Sequence, residues 1–216
     1  MAVRHGPPRP TPLRWLLRLA LGLAAVAFFV AGRPPGETAA APPDWSRDPV
    51  QLPSDRAAFA IDTRKGRVTV TPRAEYDVAA VVQSVEPYWY DATAFLSPFD
   101  FALAWGEVPG PELAGKLDVD QSWRFFFWRT DDPEVDVDYV IRHTANTHLI
   151  PGSANVRRAL SRVSPGDEVR LTGALVDIRS DRGLVWNTSL VRSDHGDRGC
   201  EILWVDSVQI GDRLYR

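Results

Sequence analysis

Residues 166–178 read G-D-E-V-R-L-T-G-A-L-V-D-I, and this stretch carries the clearest structural signal in the chain. Glu168 to Ile178 predicts a strand, entered from the polar turn Ser164-Pro165-Gly166-Asp167. Gly173 inside it marks a bulge or tight bend of the kind small curved barrels use. Downstream, residues 180–183 form a turn, 184–191 a second strand, 193–199 a polar loop and 200–210 a final strand. The last fifty residues are therefore a β-meander.

Working upstream, residues 153–163 predict an amphipathic helix that buries Val156, Leu160 and Val163. Residues 59–62 and 68–71 predict a hairpin around a glycine-containing turn, and the β-branched Val78, Val81, Val82 and Val85 favour a strand over 74–84. The stretch 88–105 predicts an aromatic loop followed by a short helix, with Ser97 as cap and Pro98 in its first turn. Residues 121–130 (Q-S-W-R-F-F-F-W-R-T) predict a strand with aromatics on both faces, and Asp138 can cap a helix over 139–142. The expected fold class is α+β and β-rich, a small curved sheet or OB-like barrel with two or three short helices, preceded by one N-terminal transmembrane helix. The strand G-D-E-V-R-L-T-G entering a meander resembles the five-stranded oligonucleotide- and oligosaccharide-binding barrels, a likeness that gives no function.

The N-terminus reads separately. Residues 1–12 form a basic tail, and 13–31 are apolar enough to span a bilayer if Arg18 reaches back to the positive side. A cleaved signal peptide ending near Ala41 is the rival. Residues 32–55 hold six prolines and predict an extended tether, leaving 56–216 as one extracytoplasmic β-rich domain. The arginine-rich flank places the N-terminus inside, so the domain is expected at a bacterial inner membrane, facing the periplasm.

Charge narrows the partners. Five arginines and no acids lie in residues 1–33, so the rest carries 20 basic against 28 acidic residues, a net of −8. That balance disfavours nucleic acid. The expected partners are the membrane, through the N-terminal segment, and an envelope protein or cell-wall component. No phosphate loop, nucleophile elbow or dinucleotide fingerprint occurs.

Three constellations could carry chemistry. His143, Asn146 and His148 lie within six residues, and the two imidazoles with Asp138 or Asp136 could hold zinc; their spacing of five matches neither a helical nor a strand ligand pair. Without metal, the same groups hold the turn at Leu149-Ile150-Pro151 by hydrogen bonds. The alternating acids Asp132, Glu134, Asp136 and Asp138 suit calcium less well than a charged, solvated edge. Cys200 is the single cysteine, so no intrachain disulfide forms. The string D-H-G-D-R-G-C places it five residues after His195 and is faintly similar to His-Gly-Cys segments of exported cysteine transpeptidases. A thiol in an oxidising compartment is expected to be buried, here at the opening of the last strand beside Trp123 and Trp186.

The strings A-L-A-W-G at 102–106, H-T-A-N-T-H-L-I-P at 143–151 and C-E-I-L-W-V at 200–205 resemble an uncharacterised family of bacterial single-pass membrane-anchored proteins. The resemblance implies the anchor and the layout and carries no activity. The expected function is a membrane-tethered binding or assembly module without a cofactor. The alternative is an envelope enzyme that uses a His143/His148 metal site or a Cys200 nucleophile.

Overall fold

The computed structural model describes residues 35–191 and 199–216. They form a ten-stranded sheet and a separate two-stranded hairpin. The strands are β1 (Glu37–Thr38), β2 (Val50–Pro53), β3 (Phe59–Thr63), β4 (Gly66–Pro87), β5 (Phe99–Ala104), β6 (Asp118–Ser122), β7 (Phe125–Arg129), β8 (Thr144–Pro151), β9 (Glu168–Ser180), β10 (Val185–Trp186), β11 (Glu201–Ile210) and β12 (Arg213–Tyr215). Helices α1 (Val137–Arg142) and α2 (Ala154–Leu160) flank β8.

Five strands close on themselves. β4 pairs with β5, β5 with β8, β8 in parallel with β11, β11 with β9, and β9 returns to β4. β4 makes the closure possible because it is 22 residues long and its buried positions alternate from Val68 to Val82. Its register shifts at Arg73, which Pro72 precedes; a bulge tolerates the missing N–H of proline and bends the strand. Phe101, Leu103, Leu149, Leu171 and Leu203 point into the circuit, and Val156, Ala159 and Leu160 of α2 pack on that core. Ser153 caps α2 by accepting from the Val156 N–H at 3.0 Å.

Gly173 sits where β9 crosses β11. A Cβ there would lie 1.9 Å from the carbonyl oxygen of Trp204, so the residue is dictated by backbone approach. Gly173→Ala is expected to cost about 3 kcal/mol or more, checked by urea unfolding, because two backbones would have to part.

Several expectations are corrected. Residues 99–104 are strand β5 and not a helix: their side chains are buried on both faces, which a strand covered on both sides explains. Residues 121–130 are no single strand, since β6 and β7 turn at Trp123-Arg124. Asp136, and not Asp138, caps α1, accepting from the Tyr139 N–H at 3.0 Å. The proline-rich stretch after residue 35 does not stand off the domain: β1 pairs with β12 and β2 with β4, and Asp48 accepts from the Trp105 indole.

The fold class is likewise corrected. The β-rich part agrees with the sequence, but no helix among the described residues is long and apolar enough to cross a membrane. The segment 13–31, on which that helix was expected, lies outside the described residues.

Candidate active site

Two faces of the closed sheet have different chemistry. On β5, Phe99, Phe101 and Leu103 face the core, which turns Asp100 to the other side. On β8, Leu149 faces the core, which turns Asn146 and His148 to the side of Asp100. Asp100 and His148 are direct cross-strand partners, and His148 is in register with Ile202 of β11. Cys200 precedes Ile202 by two residues and so joins the same face.

The β6–β7 hairpin folds over this face. Its two-residue turn is Trp123-Arg124, with φ of 54° and 71°, where asparagine and glycine are the usual occupants. What holds the turn is the Arg124 side chain. Nε donates to Asp91 at 2.9 Å; Nη1 donates to Asp100 Oδ1 at 2.8 Å and Ser97 Oγ at 3.3 Å. Nη2 donates to the Ser97 carbonyl at 2.9 Å and pairs with Asp91 at 2.7 Å. The guanidinium lies 3.8 Å from the Tyr88 ring centre, and the Tyr88 hydroxyl accepts from the Arg124 N–H at 2.9 Å.

Asp100 is wholly buried, with Arg124 on one oxygen and His148 Nδ1 2.8 Å from the other. The His148 contact is an ion pair and not a straight hydrogen bond, since neither atom has a well-directed partner. Burial of His148 disfavours its charged form, but Asp100 and the Cys200 sulfur outweigh this and raise its pKa to about 9. Burial pushes the Tyr88 hydroxyl up to about 12, reinforced by the charge of Asp100. At Asp91, burial opposes ionisation, and the N–H groups of Thr93 and Ala94 with Arg124 overcome it, holding the carboxyl below its usual range.

The sulfur sits at the end of this chain of charges. With Nδ1 facing Asp100, His148 shares a cavity wall with Cys200, and the sulfur is among the causes that raise the His148 pKa. Asn146 Nδ2 donates to Sγ at 3.5 Å and to the Arg124 carbonyl at 2.8 Å, while Asn146 Oδ1 accepts from Gln121 at 2.7 Å. Those bonds fix the amide with its N–H groups toward sulfur. As a thiol, Cys200 donates to the Arg124 carbonyl at 3.8 Å.

Cys200 is half-buried and not buried as the sequence suggested. It and His148 line a cavity of about 620 Å³ together with Trp123, Phe125 and Trp186. The Trp186 ring lies 4.9 Å from that of His148.

Of the residues singled out in the sequence, Asn146, His148 and Cys200 come together and His143 does not. His143 closes α1, with Nδ1 2.8 Å from the Tyr139 carbonyl, its ring stacked on Tyr139 at 3.8 Å, and Nε2 3.6 Å from Asp48. Asp138 lies exposed in the first turn of α1. The expected metal set of His143, His148 and Asp138 is thus not assembled. Among the described residues no group of three or more His, Cys, Asp or Glu side chains is placed to hold a metal ion. His195 lies outside the described residues. Asp100 and Arg124 were missed, although a lone acid within F-D-F-A-L-A-W was a signal, because charges are seldom buried unpaired.

The raised pKa of His148 has a testable consequence. Its charged form stabilises the fold fully below about pH 6.5, and that contribution is lost as pH rises through about 9. Urea unfolding is expected to show a fall on the order of 3 kcal/mol between pH 6.5 and pH 9.5. His148→Gln should lack this slope; an equal slope in the variant would refute the assignment.

Compared with family models, curated protein sequences and solved structures, the chain matches none.

Proposed function

We propose that this protein is an exported thiol-dependent acyl-transfer enzyme with Cys200 as nucleophile, His148 as its acid–base partner and Asp100 as the group that orients and charges His148. One observation carries the reading: an acid–imidazole–thiol succession runs from a wholly buried carboxylate to a half-buried sulfur at an open cavity. A cysteine nucleophile needs an adjacent acid–base group, and His148 lines the same cavity as Cys200. Export rests on the arginine-rich, apolar N-terminal sequence, and it makes an envelope component the natural substrate.

The step balances as follows. The Cys200 thiolate attacks a carbonyl carbon, forming an S–C bond while the π pair moves to oxygen. Re-forming the carbonyl expels the leaving group, which takes the proton from His148. Water then attacks the thioester and gives a proton back to His148, and the S–C bond breaks with its electron pair returning to sulfur. Asn146 holds the sulfur toward the cavity throughout.

Small five-stranded barrels carry ligands on the face of their second and third strands and on the loops beside it. Asp100 and His148 occupy the second and third strands of the closed circuit here, and Trp186 lies between the fourth and fifth. The binding-module reading keeps this surface and omits the chemistry.

The test is hydrolysis of a panel of neutral activated esters and thioesters by the full chain. Turnover lost in Cys200→Ala, with an unchanged far-UV spectrum, is the expected result. Equal turnover in that variant would remove Cys200 from the chemistry and return the binding module to first place. Export is checked by an alkaline phosphatase fusion after Arg216: activity is expected, and a silent, well-expressed fusion would contradict it.

A further inference from the structure

We infer that the cavity over Cys200 takes a substrate whose reacting end is uncharged and carries a flat unsaturated ring, seated on Trp123 and Trp186. This rests on the thiol reading above and names its substrate class. The first support is what the cavity's one arginine can no longer do. Four N–H groups of Arg124 donate to Asp91, Ser97 and Asp100, and Nη2 is also ion-paired with Asp91, so two carboxylates already neutralise the guanidinium and leave it little capacity for a substrate carboxylate or phosphate. It belongs to the architecture of the site and is no anion receptor.

The second support is Trp123. Its φ of 54° is unfavourable for a residue with a large side chain, and the residue is 88% exposed. A tryptophan that gains no burial and sits in strained backbone is explained if the turn serves to present it. The same turn directs Arg124 inward and leaves Trp123 on the wall of the cavity that holds Cys200 and His148. The third support is the rest of that wall: Phe125 and Trp186 line it too, and Trp186 is steadied by its register with Ile178 and its contact with the His148 ring. Rings attract rings in offset or edge-on contact, and an indole platform needs no charge to do so.

Alkylation reads this without knowledge of the natural substrate. Iodoacetamide, iodoacetanilide and iodoacetate each form an S–C bond at the thiolate and release iodide, and they differ in carrying a neutral amide, a neutral ring or a negative charge. Rates at Cys200 in the full chain are divided by those for glutathione, which corrects for intrinsic reactivity. The neutral, ring-bearing reagent is expected to gain about five- to tenfold over iodoacetamide, the size that one or two aromatic contacts give. Trp123→Ala should bring that preference to within about twofold, and Trp123→Phe should keep most of it.

Equal corrected rates for the two amides would overturn the ring platform while leaving the thiol reading intact. A corrected advantage for iodoacetate would overturn it as well, by showing an anion-binding wall. A native chain whose Cys200 reacts with none of the three would overturn the thiol reading itself, and the substrate class with it.

Discussion

Replacing Arg124 by alanine is expected to cost about 3–5 kcal/mol of folding stability. Arg124 is one partner of a buried ion cluster in which Asp100 is wholly enclosed and the arginine side chain is 15% exposed. Removing it leaves Asp100 with His148 alone, takes the guanidinium donors from Ser97 and from Asp91 Oδ2, and frees a turn whose backbone angles are unfavourable. Arg124→Lys should recover little, because one ammonium cannot span Asp91, Ser97 and Asp100 together. Urea unfolding monitored by tryptophan fluorescence measures the effect. A loss below about 1 kcal/mol would show that the cluster is not what holds the β6–β7 hairpin to the sheet.

His148→Gln is expected to slow acylation of Cys200 by p-nitrophenyl acetate by at least about 10²-fold, with the fold retained. Removal of the thiol proton by a positioned side chain is worth about 10²–10⁴ in rate; glutamine can fill the space but cannot take that proton, and p-nitrophenolate leaves without needing one. The burst of p-nitrophenolate is the readout. Asp100→Asn should weaken the same step and also lower stability, since it removes the charge shared by Arg124 and His148. A His148→Gln variant acylated as fast as the natural protein would leave the imidazole as a merely structural partner of Asp100.

The sequence made some of this legible and hid the rest for physical reasons. The hairpin at 59–71, the helix behind Ser153 and the strands around Gly173 and Trp204 were readable because each is a local pattern of period and turn residues. Strand β5 was not, since a run buried on both faces has no period and Ser97-Pro98 imitates a helix start. The Trp123-Arg124 turn was hidden because it lacks the glycine or asparagine that normally signals one. Pairing Cys200 with His148 needs the parallel β8–β11 register, a contact between segments about fifty residues apart that no local pattern encodes.

The zinc expectation shows the same limit from the other side. His143 and His148 are close in sequence, but α1 ends and β8 begins between them, which sends one ring to Tyr139 and the other to Asp100. Proximity along the chain is not convergence in space.

The central claim, that the fold activates Cys200, is tested most directly by acetylation of the full chain with limiting p-nitrophenyl acetate at pH 7.5, followed by peptide mass spectrometry of native and urea-unfolded protein. Acetyl on Cys200 appearing about 10²-fold faster in the native chain than in the unfolded one is the predicted result. Acetylation of Cys200 that is slower in the native chain than in the unfolded one would contradict it, and would make the thiol the sheltered packing residue the sequence first suggested.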